Sequence, residues 1–498
     1  MRLSLRAALL YLLLFFCPVL PAMADAPKFL VITDIHFDPF ADDQLFAALQ
    51  ASPAADWLEK FKEKAGTDFP PEDSDSNFAL LESSIDDAAQ RAPRPDFVLY
   101  GGDFLAHHWK KKYDEVAPKS HLEDPAAYHA FTTKTLEFVT GMLRRSFPKA
   151  PLFATLGNND SFCGDYQLEP NGKFLGHFAR IWSPLIGIPH GREKSLARGG
   201  YYSAPLPGLE RTRLVVLNTV FFSSDYENSC GCSTQTPALD ELRWLADTLR
   251  NAARKGEDVW LLMHIPPGIS SYGTEKSFKQ KGHAVTAWQR ELTSGFAKLV
   301  ERYRGRLRIA FAGHTHMDDY RVILLEDRAL LLTKIVPAIS PKFGNDPGYQ
   351  VYSLGGSPKA QGLDFETFRL PDPTNDFSTM GNRDDDWAKK WEKEYDFSEA
   401  YRLGPLGIES VTDLAQALAD NTDTRTHERY TLYYPVEGAP QFDEKTFDTY
   451  RCAILNLTSP VFERCYFDGK EQQVPRACRS SVGRYHRLRQ SSPSPTHD

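Results

Sequence analysis

Hydrophobic positions along the chain gather into short runs, and the runs end in polar residues. Phe29–Thr33, Phe97–Tyr100, Leu152–Thr155, Leu214–Leu217, Val259–Met263 and Ile309–Phe311 are nearly unbroken apolar segments of strand length. Runs of this kind, without polar alternation, predict strands buried on both faces. Between them the spacing changes to that of helices. Over 236–253, Thr236 can cap, Pro237 fits the first turn, and Leu239, Leu242, Leu245 and Leu249 form one stripe. Further helices are expected at about 78–91 and 288–303. Strands alternating with helices predict an α/β layered core.

The texture changes near residue 370. Leu370-Pro-Asp-Pro-Thr-Asn375 reads as a linker, and strand-like runs become scarce after it. A helix is expected over Asp384–Tyr395, with Trp387, Trp391 and Tyr395 at four-residue spacing as a face packed on the main domain. The division is therefore a catalytic domain over 25–370, a smaller and mainly helical region over 371–486, and a disordered tail over 487–498.

Composition narrows the class only a little. At 42% hydrophobic and 25% charged residues the chain is an ordinary globular protein. Its formal net charge of −8 argues against a broad nucleic-acid-binding surface. The first 24 residues have the pattern of a secretory signal: Arg2 and Arg6, an apolar run from Ala7 to Phe16, and Ala22-Met23-Ala24 as a cleavage site. Two Phe residues before Cys17 speak against lipid attachment there, and no later segment approaches the length of a transmembrane helix. Cleavage leaves six cysteines, Cys163, Cys230, Cys232, Cys452, Cys465 and Cys478, an even number that favours disulfides in an exported chain. Cys452 and Cys465, flanking one short segment, are the favoured pair. Asn456-Leu-Thr458 matches a glycosylation acceptor, a short and weak pattern.

The candidate chemistry sits in the polar blocks at the strand ends. Asp34-Ile-His36 comes after the first strand, Gly101-Gly102-Asp103 after the second and Gly157-Asn158-Asn159-Asp160 after the third. His264 and Gly313-His314-Thr315-His316 come after two later strands. Loops at the carboxyl ends of buried strands are where α/β sheets place their sites. Imidazole, carboxylate and amide oxygen suit a pair of divalent ions such as Zn, Fe or Mn, with no thiolate needed. Asp103, with two oxygens, is the natural bridge. Asp34, His36 and His316 would complete one site, and Asn158, His264 and His314 the other. Metals about 3.5–4 Å apart can hold a bridging hydroxide and clamp an in-line displacement at phosphorus. Taken singly, each block has an ordinary explanation as a turn, a solvated loop or a core histidine. Five of them in this order at strand ends are hard to obtain by accident.

That order resembles the calcineurin-like metallophosphoesterase superfamily, and within it the acid sphingomyelinase-like phosphodiesterases and endopolyphosphatases. Gly102-Asp103-Phe-Leu-Ala-His107, Leu217-Asn218-Thr219 and Asn345-Asp-Pro-Gly-Tyr-Gln-Val-Tyr352 add to the likeness, which covers roughly residues 28–370. It implies a two-sheet sandwich flanked by helices, with two metals at the sheet edge. It also implies hydrolysis of a phosphodiester or phosphoanhydride by a metal-bridging hydroxide. The chain is expected to be a monomer. One departure stands out. Most of the superfamily has histidine after the ligand asparagine, where this chain has Asn159. An amide can hydrogen-bond a phosphoryl oxygen but cannot deliver a proton near neutral pH. His107, which matches a histidine placed beside the phosphate in sphingomyelinase-like enzymes, is the expected replacement, with His108 as the spare. Asn-Asn-Asp also resembles the endopolyphosphatase branch, whose phosphate leaving group needs less protonation. Acid sphingomyelinase carries a saposin domain ahead of its catalytic domain, and four residues between Ala24 and the first strand leave no room for one. A soluble or accessible phosphate ester is therefore expected over a membrane lipid. A phosphomonoesterase and a catalytically degenerate metal-binding protein are the competing readings.

Overall fold

Each unbroken apolar run becomes a buried strand, five of the six inside a sheet and the run at Leu152–Thr155 at a sheet edge. The computed structural model describes residues 27–468 except 67, 188–193, 229–236, 282, 326–327, 356–361, 372–389, 421–422 and 437–443. In the first sheet β1 (Lys28–Ile32), β2 (Phe97–Tyr100) and β3 (Leu152–Ala154) run parallel. The second sheet begins with β4 (Tyr202–Pro205) antiparallel to β5 (Thr212–Val216), followed by parallel β6 (Asp258–Leu262) and β7 (Leu307–Ala312). The hairpin of β8 (Asp319–Leu325) and β9 (Arg328–Ile335) completes it. The chain then returns to the first sheet through β10 (Gly348–Leu354), β11 (Leu363–Arg369) and β12 (Glu392–Asp396), all antiparallel to their neighbours. The strand orders are β12-β11-β10-β1-β2-β3 and β4-β5-β6-β7-β9-β8.

The sheets meet through aromatic side chains. The Phe29 ring lies 4.7 Å from Phe97 and 4.8 Å from Tyr352 in its own sheet. Across the interface it lies 5.4 Å from Trp260 and 5.7 Å from Phe311, the spacing of edge-to-face aromatic packing. Helices cover the outer faces. The one at Phe78–Arg91 falls where the sequence predicts it, and the Asn77 side chain caps it by accepting from the Leu80 amide at 3.1 Å. Pro237–Lys255 and Arg290–Arg302 are likewise helical, so the expected α/β sandwich flanked by helices is present.

The helix expected over Asp384–Tyr395 is not what its described end forms. Glu392–Asp396 is instead β12, an edge strand on β11, while 384–389, including Trp387, lie outside the described residues. Four-residue spacing is ambiguous by nature, since positions four apart share a face in a strand as well as in a helix. The packing role survives the change: Trp391 and Tyr395 are buried, and the Trp391 indole donates to Ser83 Oγ at 2.8 Å. The first sheet thus takes its edge strand from beyond residue 370. After it the chain is helical, at Phe397–Tyr401, Ile408–Ala419, Thr424–Tyr433, Glu444–Leu455 and Ser459–Asp468. Cys452 and Cys465 form a disulfide that ties the last two of these helices together. Cys163 is also disulfide-bonded. Asn456 of the glycosylation pattern is buried, with its amide nitrogen donating to the Cys452 carbonyl at 2.7 Å. The signal-like segment, the tail, Cys230, Cys232 and Cys478 fall outside the described residues. Among the described residues no helix is long and apolar enough to cross a membrane.

Candidate metal centre

The loops after β1, β2, β3, β6 and β7 converge at one edge of the sandwich, and backbone hydrogen bonds continue between them past the strand ends. Asp34 N donates to Gly102 O at 3.0 Å, His36 N to Asp103 O at 3.0 Å and Gly313 N to His264 O at 3.0 Å. Five of the seven candidate ligands sit at positive φ: Asp34 (50°), His36 (47°), Asp103 (57°), His314 (75°) and His316 (65°). Residues other than glycine rarely adopt this region, and they hold it where the surroundings leave no alternative. The glycines let the loops approach closely. A Cβ on Gly157 would stand 2.0 Å from Asp103 Oδ1, and one on Gly313 2.3 Å from Asp34 Oδ2.

The seven side chains divide into two groups that share Asp103. In the first, His36 Nε2 lies 3.1 Å from His316 Nε2, 3.3 Å from Asp103 Oδ2 and 3.8 Å from Asp34 Oδ1. In the second, His264 Nε2 lies 3.0 Å from Asn158 Oδ1 and 3.2 Å from Asp103 Oδ2, and His314 Nδ1 lies 2.8 Å from Asn158 Oδ1. The far side of three of the four rings is tied to backbone oxygen: His36 Nδ1 to Leu105 O at 3.0 Å, His264 Nδ1 to Gly101 O at 2.8 Å and His316 Nδ1 to Ser340 O at 3.3 Å, while His314 Nε2 meets the Tyr166 hydroxyl at 3.3 Å. A carbonyl only accepts, so each of these Nδ1 atoms carries the proton, and in a neutral ring the Nε2 lone pair faces inward. The Asn158 amide nitrogen donates outward to Asp165 Oδ1 at 2.7 Å, which turns its oxygen inward as well.

Each group therefore sets two acceptors against each other, His36 Nε2 against His316 Nε2 and His264 Nε2 against Asn158 Oδ1. Such contacts are repulsive unless a cation lies between them. The protonation pattern agrees. Burial opposes charge on His36 and His264, yet Asp103 and Asp34 outweigh it and push both rings up to about 9. Burial pulls His316 down to about 3 and, helped by His264, His314 down to about 4. Asp34 is held at about 2 against its burial by His264, His36 and His316. Each half-site thus calls for one positive charge, which a proton supplies when no metal does. The residues present fit a pair of divalent cations.

Around this centre lie groups whose role the sequence did not announce. The Asp160 carboxylate accepts from four backbone amides, Asp103 (2.9 Å), Phe104 (2.8 Å), Leu105 (3.2 Å) and Gly157 (2.9 Å), and so clamps two of the loops. It closes the Gly-Asn-Asn-Asp block, and that position was the available signal. Asp75 accepts from His107 Nδ1 at 2.7 Å and from Lys112 Nζ at 2.6 Å, while Lys112 also reaches Asp38 at 2.6 Å. Nothing in the polar stretch around Asp75 marks it out.

His107 stands over the first group, its ring stacked on His36 at 3.9 Å between centroids. Its ligand nitrogen lies within 4.8 Å of those of His36 and His316. Burial and His36 pull its pKa below the ordinary value, against Asp75. Asn159 turns inward: its backbone amide donates to Asp103 Oδ1 at 2.8 Å and its side chain to Asp103 Oδ2 at 3.0 Å. His108 is exposed and in the left-handed region at φ 55°, just ahead of the helix Trp109–Val116.

A family model described as calcineurin-like phosphoesterase matches residues 27–318, more than half of the chain. The chain is similar to the acid sphingomyelinase-like phosphodiesterase 3b of Mus musculus, at 27% identity over 93% of this chain and 95% of that protein. It is also similar to the cyclic GMP-AMP phosphodiesterase SMPDL3A of the same species, at 23% identity over 88% of this chain and 91% of the relative. A sphingomyelin phosphodiesterase of Bos taurus is 28% identical, over 58% of this chain and 42% of its own length.

Proposed function

The chain belongs to the calcineurin-like phosphoesterase family, whose members use a dinuclear metal site, and from that premise we propose an exported, metal-dependent phosphodiesterase. Asp34, His36 and His316 would hold one divalent cation and Asn158, His264 and His314 the second, with Asp103 placed between the two groups to serve both. The observation that carries this reading is the convergence of ligand atoms with inward lone pairs, 3.1 Å apart in one half-site and 3.0 Å in the other, each pair needing one positive charge that a metal ion can supply in place of a proton. Zinc suits the imidazole-rich set, and iron or manganese would fit it too. Two such cations would supply Lewis acidity, an ionised water as nucleophile and neutralisation of charge on the phosphoryl oxygens.

The chain's own groups do the rest. Asp160 and the shared backbone hydrogen bonds hold the ligand loops in a strained geometry before substrate arrives. Asn159 fixes both oxygens of Asp103 and supplies no proton. That task falls to His107, because Asp75 takes its Nδ1 hydrogen and leaves Nε2 for the leaving oxygen. Because burial and His36 lower the pKa of His107, its proton-donating form builds up only as the medium becomes acidic. A diester substrate is favoured by the names of the relatives, and a phosphoanhydride by Asn159 in place of histidine. Export is supported by the signal-like first 24 residues and by the Cys452–Cys465 disulfide.

The reading is tested on chelator-treated protein reloaded with Zn, Mn or Fe, comparing bis(p-nitrophenyl) phosphate with p-nitrophenyl phosphate. A higher kcat/KM for the diester, restored only by metal, is the expected result. Preference for the monoester would replace the diesterase with a phosphomonoesterase. Metal binding without turnover of either ester would leave a metal-binding protein that has lost catalysis.

A further inference from the structure

One corner of the metal centre is held differently from the rest. His36, His264 and His316 each have Nδ1 fixed by a backbone carbonyl. His314 instead turns Nδ1 inward, 2.8 Å from Asn158 Oδ1, and its Nε2 meets the Tyr166 hydroxyl at 3.3 Å. The neighbouring ligand is held from the same place, since Asn158 Nδ2 donates to Asp165 Oδ1 at 2.7 Å. Two consecutive side chains, Asp165 and Tyr166, thus reach two ligands of the second group, one on the loop after β3 and one on the loop after β7.

The loop that carries them is closed on itself. Ser161 Oγ accepts from Cys163 N at 2.9 Å and from Gly164 N at 3.0 Å, and Gly164, at φ 123°, lets the chain reverse. Tyr166 N then donates back to Asn158 O at 2.9 Å, and Tyr166 O accepts from Glu227 N at 3.1 Å. Tyr166 itself sits in the left-handed region at φ 56°, which an aromatic residue holds only where its surroundings impose it. Cys163, inside this turn, is disulfide-bonded.

The chemistry of the outer partner matters. A carbonyl only accepts, so it pins the proton to Nδ1 of the other three rings, whereas a hydroxyl both donates and accepts. Without a cation, His314 Nδ1–H can donate to Asn158 Oδ1 while Nε2 accepts from Tyr166. To offer its Nδ1 lone pair to a cation, the neutral ring must carry its proton on Nε2, and Tyr166 then accepts it. We propose that Asp165 and Tyr166 are positioning residues of the second half-site, aiming Asn158 and His314, on a loop that the Cys163 disulfide keeps closed. The second cation therefore depends on side chains of one loop, and the first does not.

The inference rests on the dinuclear reading, and its test separates the two. Zinc is titrated calorimetrically into the metal-free full chain and its variants. Tyr166→Phe and Asp165→Ala should weaken one of two binding steps by about 10–100-fold, the usual cost of losing a residue that orients a ligand, and leave the other unchanged. Asp165→Asn, which keeps an accepting oxygen, should bind both ions nearly as the wild type does. Cys163→Ser should weaken the same step as Tyr166→Phe, and an unchanged step would remove the disulfide from the inference. In the Asn158→Ala/His264→Ala variant, left with the first half-site alone, adding Tyr166→Phe should change nothing. Both steps weakened alike, or neither moved by Tyr166→Phe and Asp165→Ala, would overturn the inference. If the wild type takes up fewer than two ions, the dinuclear reading fails, and the NMR resonance of His314 Nε2 in the metal-free, isotope-labelled protein decides. A shift of that resonance in Tyr166→Phe would uphold the positioning contact, and an unmoved resonance would overturn it.

Discussion

The centre of the site and its edge are built by different means. At the centre, the candidate ligands follow buried strands, and their loops are held by backbone amides and by one four-fold acceptor, Asp160. At the edge, His107 is oriented by a side chain from a separate loop, Asp75, and the exposed rings of Phe343 and Tyr272 stand on a turn after β9 and on the helix Ser271–Lys281, which leans on the C-terminal region through Glu275. The centre tolerates five residues at positive φ because its loops brace one another, whereas the edge is joined by side-chain contacts that can change singly. The contrast suggests how one metal site can serve different esters: backbone geometry keeps the chemistry, and side chains on turns choose the substrate.

Substitutions can sharpen this division. The largest effect is expected at the edge, in His107→Asn. With an alkoxide leaving group kcat should fall by roughly 10²–10⁴, the usual worth of a general acid, and with p-nitrophenolate by much less. Metal content should not change. An equal loss for both leaving groups, or a loss of metal, would move His107 into the centre as a ligand.

A smaller effect is expected from Asp160→Asn, which keeps the shape but turns an amide donor toward backbone N–H groups. Metal affinity should drop by about 10–100-fold, as for other residues that orient ligands without touching the ion. Titration with a metal indicator measures it, and an unchanged affinity would mean that the loops do not need the clamp.

The smallest effect is in pH. Without metal, His36 and His264 have pKa values raised from 6.5 to about 9, so their protonated forms stabilise the fold fully below 6.5, a contribution lost as pH rises toward 9. Asp34, at about 2, stays ionised over this window. Cations must displace those two protons. The rise in Tm on adding zinc should therefore be larger at pH 8.5 than at pH 6, by a few degrees. A larger rise at pH 6 would contradict the charge pattern.

The same division explains what could be read from the chain alone. Asp34, His36, Asp103, Asn158, His264, His314 and His316 are legible because each lies in a block directly after an apolar run, so local periodicity also locates the side chains. Asp160 is visible as part of its block but silent about its role, since accepting four amides is a property of two loops brought together. Asp75, Phe343 and Tyr272 carry no such mark: Asp75 meets His107 from 32 positions away, and Phe343 and Tyr272 meet across 71. The strand found where a helix was expected, at β12, has the same origin, because four-residue spacing serves a helix and a strand alike, and only the free edge of β11 decides between them.

The central claim is one cation per half-site, and a metal titration of the metal-free protein by calorimetry tests it most directly. The wild type should take up two divalent ions per chain, and the Asn158→Ala/His264→Ala double variant one, with hydrolysis of bis(p-nitrophenyl) phosphate present only in the two-ion form. Fewer than two ions in the wild type, or diester hydrolysis that persists after complete removal of metal, would contradict the account.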